Sequence, residues 1–489
     1  MVINFDNKYS LHLETEDLNR GSKHYRPRES GLDEEEEEEE EDERRRKQSA
    51  TYTEVELSQV FDKVLLLYAD DDSDGSSSAT SKQQQKGRKG GKRHSNKKGC
   101  EAIDGDLQTL LISCAKSVDA LDYSAAVEKL KKIRQNSSPA GDENQRLAYT
   151  FADALEARLA GNGAQVCPSS SFNSRINVLE LLKSYFSSCI PFLRIFIFFA
   201  NEMIYEVASR GASLHIIDFG ILHGIQWPTL IRNLSRRPGG PPKLRITGIE
   251  LPQPGFRPSQ MVVETGFRLA KYCEHFGVPF KYNSITAKNW EAIKVDDLKL
   301  AMGEVVAVNC NDRLKRLLDE TVCGVDCPRD AVLKLIREVN PHIFVHSMLS
   351  ASHNSPFFLN RFRAALTYYS NLFDLSEAFF PRHDIQRMHF EQQFMGLEIA
   401  NIVACEGAER LERPETYKQW QSRTMRVGFK PVPVSPVILK KLCKMNEAYH
   451  KDFMLHQDGH WILQGWKGRI ISTSAAWVVE IWRNKRQFY

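Results

Sequence analysis

Leu214-His215-Ile216-Ile217-Asp218-Phe219-Gly220-Ile221-Leu222-His223-Gly224 decides the fold. A short apolar run of strand length ends in an acid, and two glycines follow before the helical spacing of 227–234 begins. Working outward, strand patterns at 244–249, 280–284, 304–309 and 342–346 alternate with helix patterns at 261–276, 329–339 and 357–372. That alternation predicts an α/β fold, a doubly wound and mostly parallel sheet of methyltransferase-like Rossmann type. Upstream, the spacing of Leu107, Leu110, Leu111, Cys114 and Val118, a helix pattern at 147–159 closed by Gly161, and an apolar stretch at 178–199 broken by Pro191 predict a helical cap. Downstream, a helix is expected at 384–405, then a polar Arg and Glu segment up to Trp420, then antiparallel strands across 453–482 at one sheet edge. The domain plan is therefore a charged N-terminal region 1–104 and one folded unit 105–489, divided into a cap (105–210) and a Rossmann-like core (211–489).

The turn after the first strand is where doubly wound folds bind ligands, because the sheet opens at its carboxyl edge and glycine lets a ligand approach the backbone. Asp218, Gly220, Gly224 and Glu250, which ends the second strand, are the candidate cofactor-binding residues, with Glu250 placed to accept from ribose hydroxyls and Asn309 closing a later strand. Against this, Ile221, Leu222 and His223 fill the gap where a methyltransferase loop carries closely spaced glycines. The structural alternative has Asp218 capping the next helix and the two glycines permitting tight packing. His215 reads as a strand histidine bonded to neighbouring backbone. No hydrolase triad, nucleophile elbow or phosphate loop is spelled out, so no catalytic residue is assigned.

The net charge of +3 hides oppositely charged blocks near the N-terminus. An unbroken acidic run from Asp33 to Glu43 is followed at once by Arg44, Arg45, Arg46 and Lys47, a composition that stays solvated and predicts disorder over 1–104. Within it, 55–68 is an amphipathic island suited to docking on a partner. Segment 82–98 carries eight basic residues and no acid, among them Lys86, Arg88, Lys89, Lys92 and Arg93. It reads as a solvated linker, a nuclear import signal or a weak phosphate-binding patch. No apolar run follows Met1, and the apolar stretch 190–200 is shorter than the roughly 20 residues a membrane span needs. Neither secretion nor a membrane is expected. The ten cysteines are scattered, and Cys323 and Cys327 lack the second ligand pair of a zinc site.

Several separate motifs carry a resemblance. Leu214-His215-Ile216-Ile217-Asp218 is joined by Leu244-Arg245-Ile246-Thr247-Gly248-Ile249-Glu250 with Pro252-Gln253-Pro254-Gly255-Phe256-Arg257-Pro258, and by Pro356-Phe357-Phe358 with Arg361-Phe362-Arg363. Arg410-Leu411-Glu412-Arg413, Trp461-Ile462-Leu463-Gln464-Gly465-Trp466 and Ser474-Ala475-Ala476-Trp477 complete the set. Over residues 105–489 the chain resembles the plant GRAS family of transcriptional regulators, most closely its SCARECROW-like branch. It departs from the family at Asn311-Asp312, where an apolar-aromatic pair is commoner.

The resemblance implies a helical cap on a Rossmann-like core. It also implies work in the nucleus through homo- or hetero-association with GRAS-like proteins and other transcription factors, with promoter DNA reached mainly through those partners and direct sequence-specific DNA binding left open. No cofactor is expected. No recognition helix, zinc finger or basic-zipper pattern is visible to read bases. An S-adenosylmethionine-dependent methyltransferase using the Asp218 and Glu250 edge is the alternative. Leu107-Gln108-Thr109-Leu110-Leu111 has the spacing with which a helix fills a coactivator groove, whereas the same spacing at Leu314, Leu317 and Leu318 reads as core. Trp461, Trp466 and Trp477 are expected as core or interface aromatics.

Overall fold

The computed structural model describes residues 2–4, 104–166 and 191–480, apart from 210, 254, 325–326 and 382. The acidic run, the 55–68 island, the basic segment 82–98 and residues 178–190 lie outside the described residues. The central strand β1 (Ser213–Phe219) pairs in parallel with β2 (Lys243–Glu250) on one side and β4 (Val305–Asn311) on the other. β3 (Phe280–Thr286) extends the sheet beyond β2, and β5 (Ile343–Leu349) extends it beyond β4, both in parallel. The order β3-β2-β1-β4-β5 reverses direction between β1 and β4, and such a reversal opens a crevice at the carboxyl ends of those two strands.

Alternation along the strands explains why both faces are covered. Ile216, Ile246, Ala307 and Val345 point into one core, and their neighbours Ile217, Val308 and Phe344 point into the other. The first face takes α4 (Pro191–Ala208), α5 (Trp227–Ser235), α6 (Gln260–His275) and α11 (Pro436–Glu447). The second takes α7 (Pro328–Val339) and Trp420 of α10 (Tyr417–Arg426). Helices α5, α7 and α11 each carry proline in the first turn, where its missing N–H and fixed φ cost nothing. Pro191 likewise stands at the first described position of α4. No helix of the described residues is long and apolar enough to cross a membrane.

Beyond β5 the sheet turns antiparallel. β9 (Arg469–Val479) pairs with β5, β8 (Trp461–Trp466) with β9, and β7 (Phe453–Asp458) with β8, while the short β6 (Phe429–Pro431) pairs with the end of β9. At the opposite edge the three-residue strand Val2–Asn4 pairs antiparallel with β3, inside the region expected to lack structure.

The helical cap is discontinuous in sequence. α1 (Asp104–Asp119), α2 (Tyr123–Asn136) and α3 (Glu143–Leu159) pack on one another, and α3 packs against α8 (Phe358–Phe379) and α9 (Gly396–Ala404) from far downstream. α4, expected in the same N-terminal cap, contacts β4 and β5 instead. The reason lies in its composition, since Phe196, Ile197, Phe198 and Phe199 are all buried and such a helix needs cover all round. α3 begins with a reciprocal capping box between Asp142 and Gln145, a device that satisfies two of the four orphan N–H groups of a helix start. The helix expected at 384–405 is one run with a wide turn in it. Phe390–Met395 is π-helical, and Glu391 within it accepts from Arg146 Nε at 2.8 Å and from Ser376 Oγ at 2.7 Å, which ties α3 to α8.

Candidate functional site

Asp218 stands one residue before the end of β1 at the reversal point and is buried. Its Oδ2 accepts the indole N–H of Trp227 at 2.9 Å, and its Oδ1 accepts from Asn309 Nδ2 at 2.8 Å. The expected helix cap is not formed: α5 has no side-chain cap, and Asp218 holds the side chain of that helix's first residue instead. Gln226 extends the network, accepting from Asn309 at 3.2 Å and Asn311 at 2.6 Å and donating to Asn201 of α4 at 3.2 Å. Burial pushes the Asp218 carboxyl up to about 7, against the pull of its two hydrogen bonds, and the nearby Glu250 charge adds to the rise. The contacts are those of an ionised acceptor in a site that disfavours charge.

Glu250 is not open to a ribose. Its Oε1 takes Arg313 Nη2 at 2.6 Å and Leu251 N–H at 3.0 Å, while its Oε2 takes Leu222 N–H at 3.0 Å. Arg313 lies over the signature turn. A Cβ on Gly220 would overlap Arg313 Cγ, and one on Gly224 would come within 2.8 Å of Thr265 Cγ2. Both glycines also have positive φ, +93° and +71°. They are therefore needed for the turn and for close packing of protein on protein, as the structural alternative expected. The turn's polar groups are engaged too. Gly220 N–H donates to Ile249 O at 2.8 Å, Thr265 Oγ1 donates to Leu222 O at 2.7 Å, and Arg268 donates to His223 O at 3.1 Å. The cavity left at the reversal point holds about 170 Å³, well below the roughly 300–1,000 Å³ of small-molecule sites. S-adenosylmethionine does not fit these residues, because the carboxylate that would hold its ribose is closed by Arg313. Gly220→Ala is expected to destabilise the fold by about 1–3 kcal/mol through φ strain and displacement of Arg313, read as a lower denaturation midpoint. An unchanged midpoint would show that Arg313 is not seated there.

Beneath the cavity sits a buried ionic cluster. Lys315 Nζ meets Glu398 at 2.8 Å, Glu412 at 2.9 Å and Asp312 at 3.0 Å. These carboxylates hold Lys315 protonated against the opposing effect of burial. Glu398 also accepts from Tyr369 Oη at 2.9 Å, and Glu412 from Arg316 Nε at 3.0 Å. A second cluster joins Arg423 to Glu415, Asp330 and Glu320, and Arg329 to Glu415. Within the segment expected to be polar, 406–420, residues 410–415 thus form a largely buried strap. Asn401 fastens it by accepting the backbone N–H groups of Leu411 and Glu412, each at 2.8 Å.

A model of the GRAS domain family matches residues 107–478. The chain belongs to that family. Scarecrow-like protein 14 of Arabidopsis thaliana is 48% identical over 449 residues, covering 88% of this chain and 58% of its own length. Scarecrow-like protein 33 of the same plant is 53% identical over 379 residues, covering 76% of this chain and 54% of its own. The chain therefore spans less than two thirds of the length of these relatives. The crystal structure of SCL7 from Oryza sativa superposes with a TM-score of 0.63 at 30% identity, covering 76% of this chain and 99% of that one.

The family motifs that the sequence singles out are structural in this GRAS domain. Leu214, Ile216 and Ile217 fill the two cores. His215 Nε2 meets Thr247 Oγ1 at 2.8 Å, a side chain and not the backbone partner expected. Its Nδ1 lies 3.7 Å from Glu304, too far for a hydrogen bond, and burial holds the ring neutral with a pKa lowered to about 3. Arg361 is buried, donates to Ile402 O at 2.9 Å and Pro356 O at 3.1 Å and pairs with Glu406, whereas Phe357 beside it is exposed. Trp461, Trp466 and Trp477 are all buried, the first and last packed edge to face at 5.7 Å. Gly465 lets β8 lie close on Met454 of β7. Leu107 and Leu111 pack into the cap core with Leu110 partly covered, so the coactivator spacing of α1 faces inward, and Leu314 is core as expected. The import candidates Lys86, Arg88, Lys89, Lys92 and Arg93 lie outside the described residues.

Arg313, Gln226, Asn201 and Trp227 are the site residues that sequence reasoning missed. Asn311 was singled out as a family departure, and its side chain closes the Gln226 network.

Proposed function

We propose that this GRAS protein is a non-catalytic regulator of transcription that works in the nucleus by associating with other transcription factors and GRAS-like proteins and reaches promoter DNA through them. The observation that carries the reading is the closure of the Rossmann edge. Arg313 neutralises Glu250, Trp227 and Asn309 engage Asp218, and the fold keeps the shape of a cofactor domain while its ligand space is filled by its own side chains. Family membership supports the reading, as does the name of one relative, the Scarecrow-like transcription factor PAT1 of Arabidopsis thaliana, 32% identical over 378 residues. The methyltransferase reading loses its support with the ribose acceptor.

Import is assigned to the basic segment 82–98 with the Arg44–Lys47 cluster, whose charge density suits an import receptor. A tagged chain lacking both segments is expected to lose most of its nuclear accumulation. Full accumulation without them would overturn that assignment, and proximity labelling in nuclei that recovered no transcriptional regulators would overturn the function.

A further inference from the structure

The closed edge leaves a cavity of about 170 Å³ between α4, the signature turn and the π-helical stretch. That is too small for a nucleotide cofactor, yet larger than the roughly 150 Å³ in which a dry protein core takes up one benzene ring. Leu193 and Ile197 of α4, Ile221 and Ile225 of the turn, and Phe394 form apolar walls. Leu193, Leu222 and Phe394 are half-buried, which gives the cavity a mouth to solvent. Two polar atoms of lining residues are unused. Arg313 Nε and Asn311 Oδ1 are buried without a hydrogen-bond partner among the described residues, although Arg313 Nη2 is held by Glu250 and Asn311 Nδ2 by Gln226. A buried donor and acceptor in that state normally have a partner. Water alone does not suit the space, because each water needs about two to four polar partners and the walls are apolar. The acids, arginines and lysine on the lining are already matched. Arg313 meets Glu250 at 2.6 Å, Lys315 meets Asp312 and Glu398, Arg316 meets Glu412, and Asp218 keeps its two hydrogen bonds. A charged ligand would find no free counter-charge there, and an unpaired buried charge is costly.

We propose that this cavity binds a compact neutral molecule, a single ring bearing a hydroxyl, with the ring among the apolar walls. The hydroxyl oxygen accepts from Arg313 Nε, and its O–H donates to Asn311 Oδ1, since a hydroxyl is donor and acceptor on one atom. Leu222, on the lining, holds a left-handed φ of +49°, a strained conformation of the kind that collects at ligand clamps. Asn311 is also where the chain departs from the family pattern, and an apolar residue there would supply no acceptor. The site therefore belongs to this chain and not to the fold. Through Gln226 the ligand would be coupled to Asn309 and the Asp218 network. This goes beyond the regulatory reading by giving the regulator a small-molecule input, and it rests on the closure of the edge by Arg313.

The test is calorimetric titration of the full chain with phenol, benzene, benzoate and S-adenosylmethionine in separate arms. Phenol is expected to bind with a Kd on the order of 0.1–1 mM, a strength suited to so few heavy atoms. Benzene should bind at least about fivefold more weakly, because it leaves Asn311 and Arg313 unmatched, and benzoate should give no heat. Asn311→Leu is expected to bring phenol down to the affinity of benzene while benzene binding is kept, a split that general loosening of the fold does not produce. Ile225→Phe fills the space and should abolish both arms with an unchanged circular dichroism spectrum. No heat from phenol at about 10 mM, phenol no tighter than benzene, or phenol binding unchanged in both variants would overturn the proposal. The S-adenosylmethionine arm keeps the two readings apart. Silence there with phenol also silent removes this ligand and leaves the edge closed, whereas heat there overturns the closure on which the site rests.

Discussion

Replacing Lys315 by methionine should cost about 3–5 kcal/mol of stability, the largest single effect expected in this molecule. The substitution keeps most of the side-chain volume and removes the charge. Asp312, Glu398 and Glu412 would then face one another with only Arg316 on Glu412 to compensate. Desolvated charges left without a counter-charge cost far more than an exposed pair gains. Arg426→Ala is the internal control, because Arg426 is exposed and Asp330 keeps Arg423 as a partner, so the pair should contribute under about 1 kcal/mol. Urea denaturation of both variants separates the two cases, and similar losses for Lys315→Met and Arg426→Ala would mean that the cluster is not dry.

Stability should also fall as pH drops from 7 to 5. His215, His346 and His353 are buried, and burial lowers each to a pKa of about 3, with Arg245 adding to the effect at His215 and Lys315 at His353. Their folded pKa values lie below the unfolded 6.5, so the unfolded chain binds more protons between pH 3 and 6.5, and stability present above 6.5 is lost as pH falls through that window. Each group contributes up to about 1.4 kcal/mol per pH unit. Asp218 works in the opposite direction, because a carboxyl raised to about 7 takes up a proton on folding and gains stability as pH falls from 7 toward 4. The histidines win by number, leaving a net loss of about 3 kcal/mol between pH 7 and 5. His346→Gln should flatten that slope by its share. Denaturation midpoints that stay level from pH 7 to 5 would show that these rings are protonated or hydrated in the fold.

The doubly wound, mostly parallel sheet was legible because the βαβ alternation is a local pattern, readable without any knowledge of contacts, whereas the strand order was not. Asp218 and Glu250 were legible as strand-end acids for the same reason. Their state was not. Glu250 is closed by an arginine 63 residues away, and no spacing rule connects Arg313 to it. The strap 410–415 misled in the same manner, since charged residues read as a solvated surface until their partners are known. Here Glu412, Arg413 and Glu415 are buried because Lys315 and Asp319, from the segment after β4, and Arg329 of α7 meet them, while Arg410 donates to the carbonyl oxygens of His353 and Asn354. The coactivator spacing failed for a different reason, since Leu107, Leu110 and Leu111 have the periodicity of any helix that packs on a core.

Titration of the full chain with S-adenosylmethionine tests most directly whether the carboxyl edge of this Rossmann-like sheet is closed by its own side chains. No heat of binding at about 1 mM is the predicted result, with Arg313 still seated on Glu250. Saturable binding in the micromolar range would contradict it, because the ribose could be held only if Arg313 left Glu250 and opened the edge.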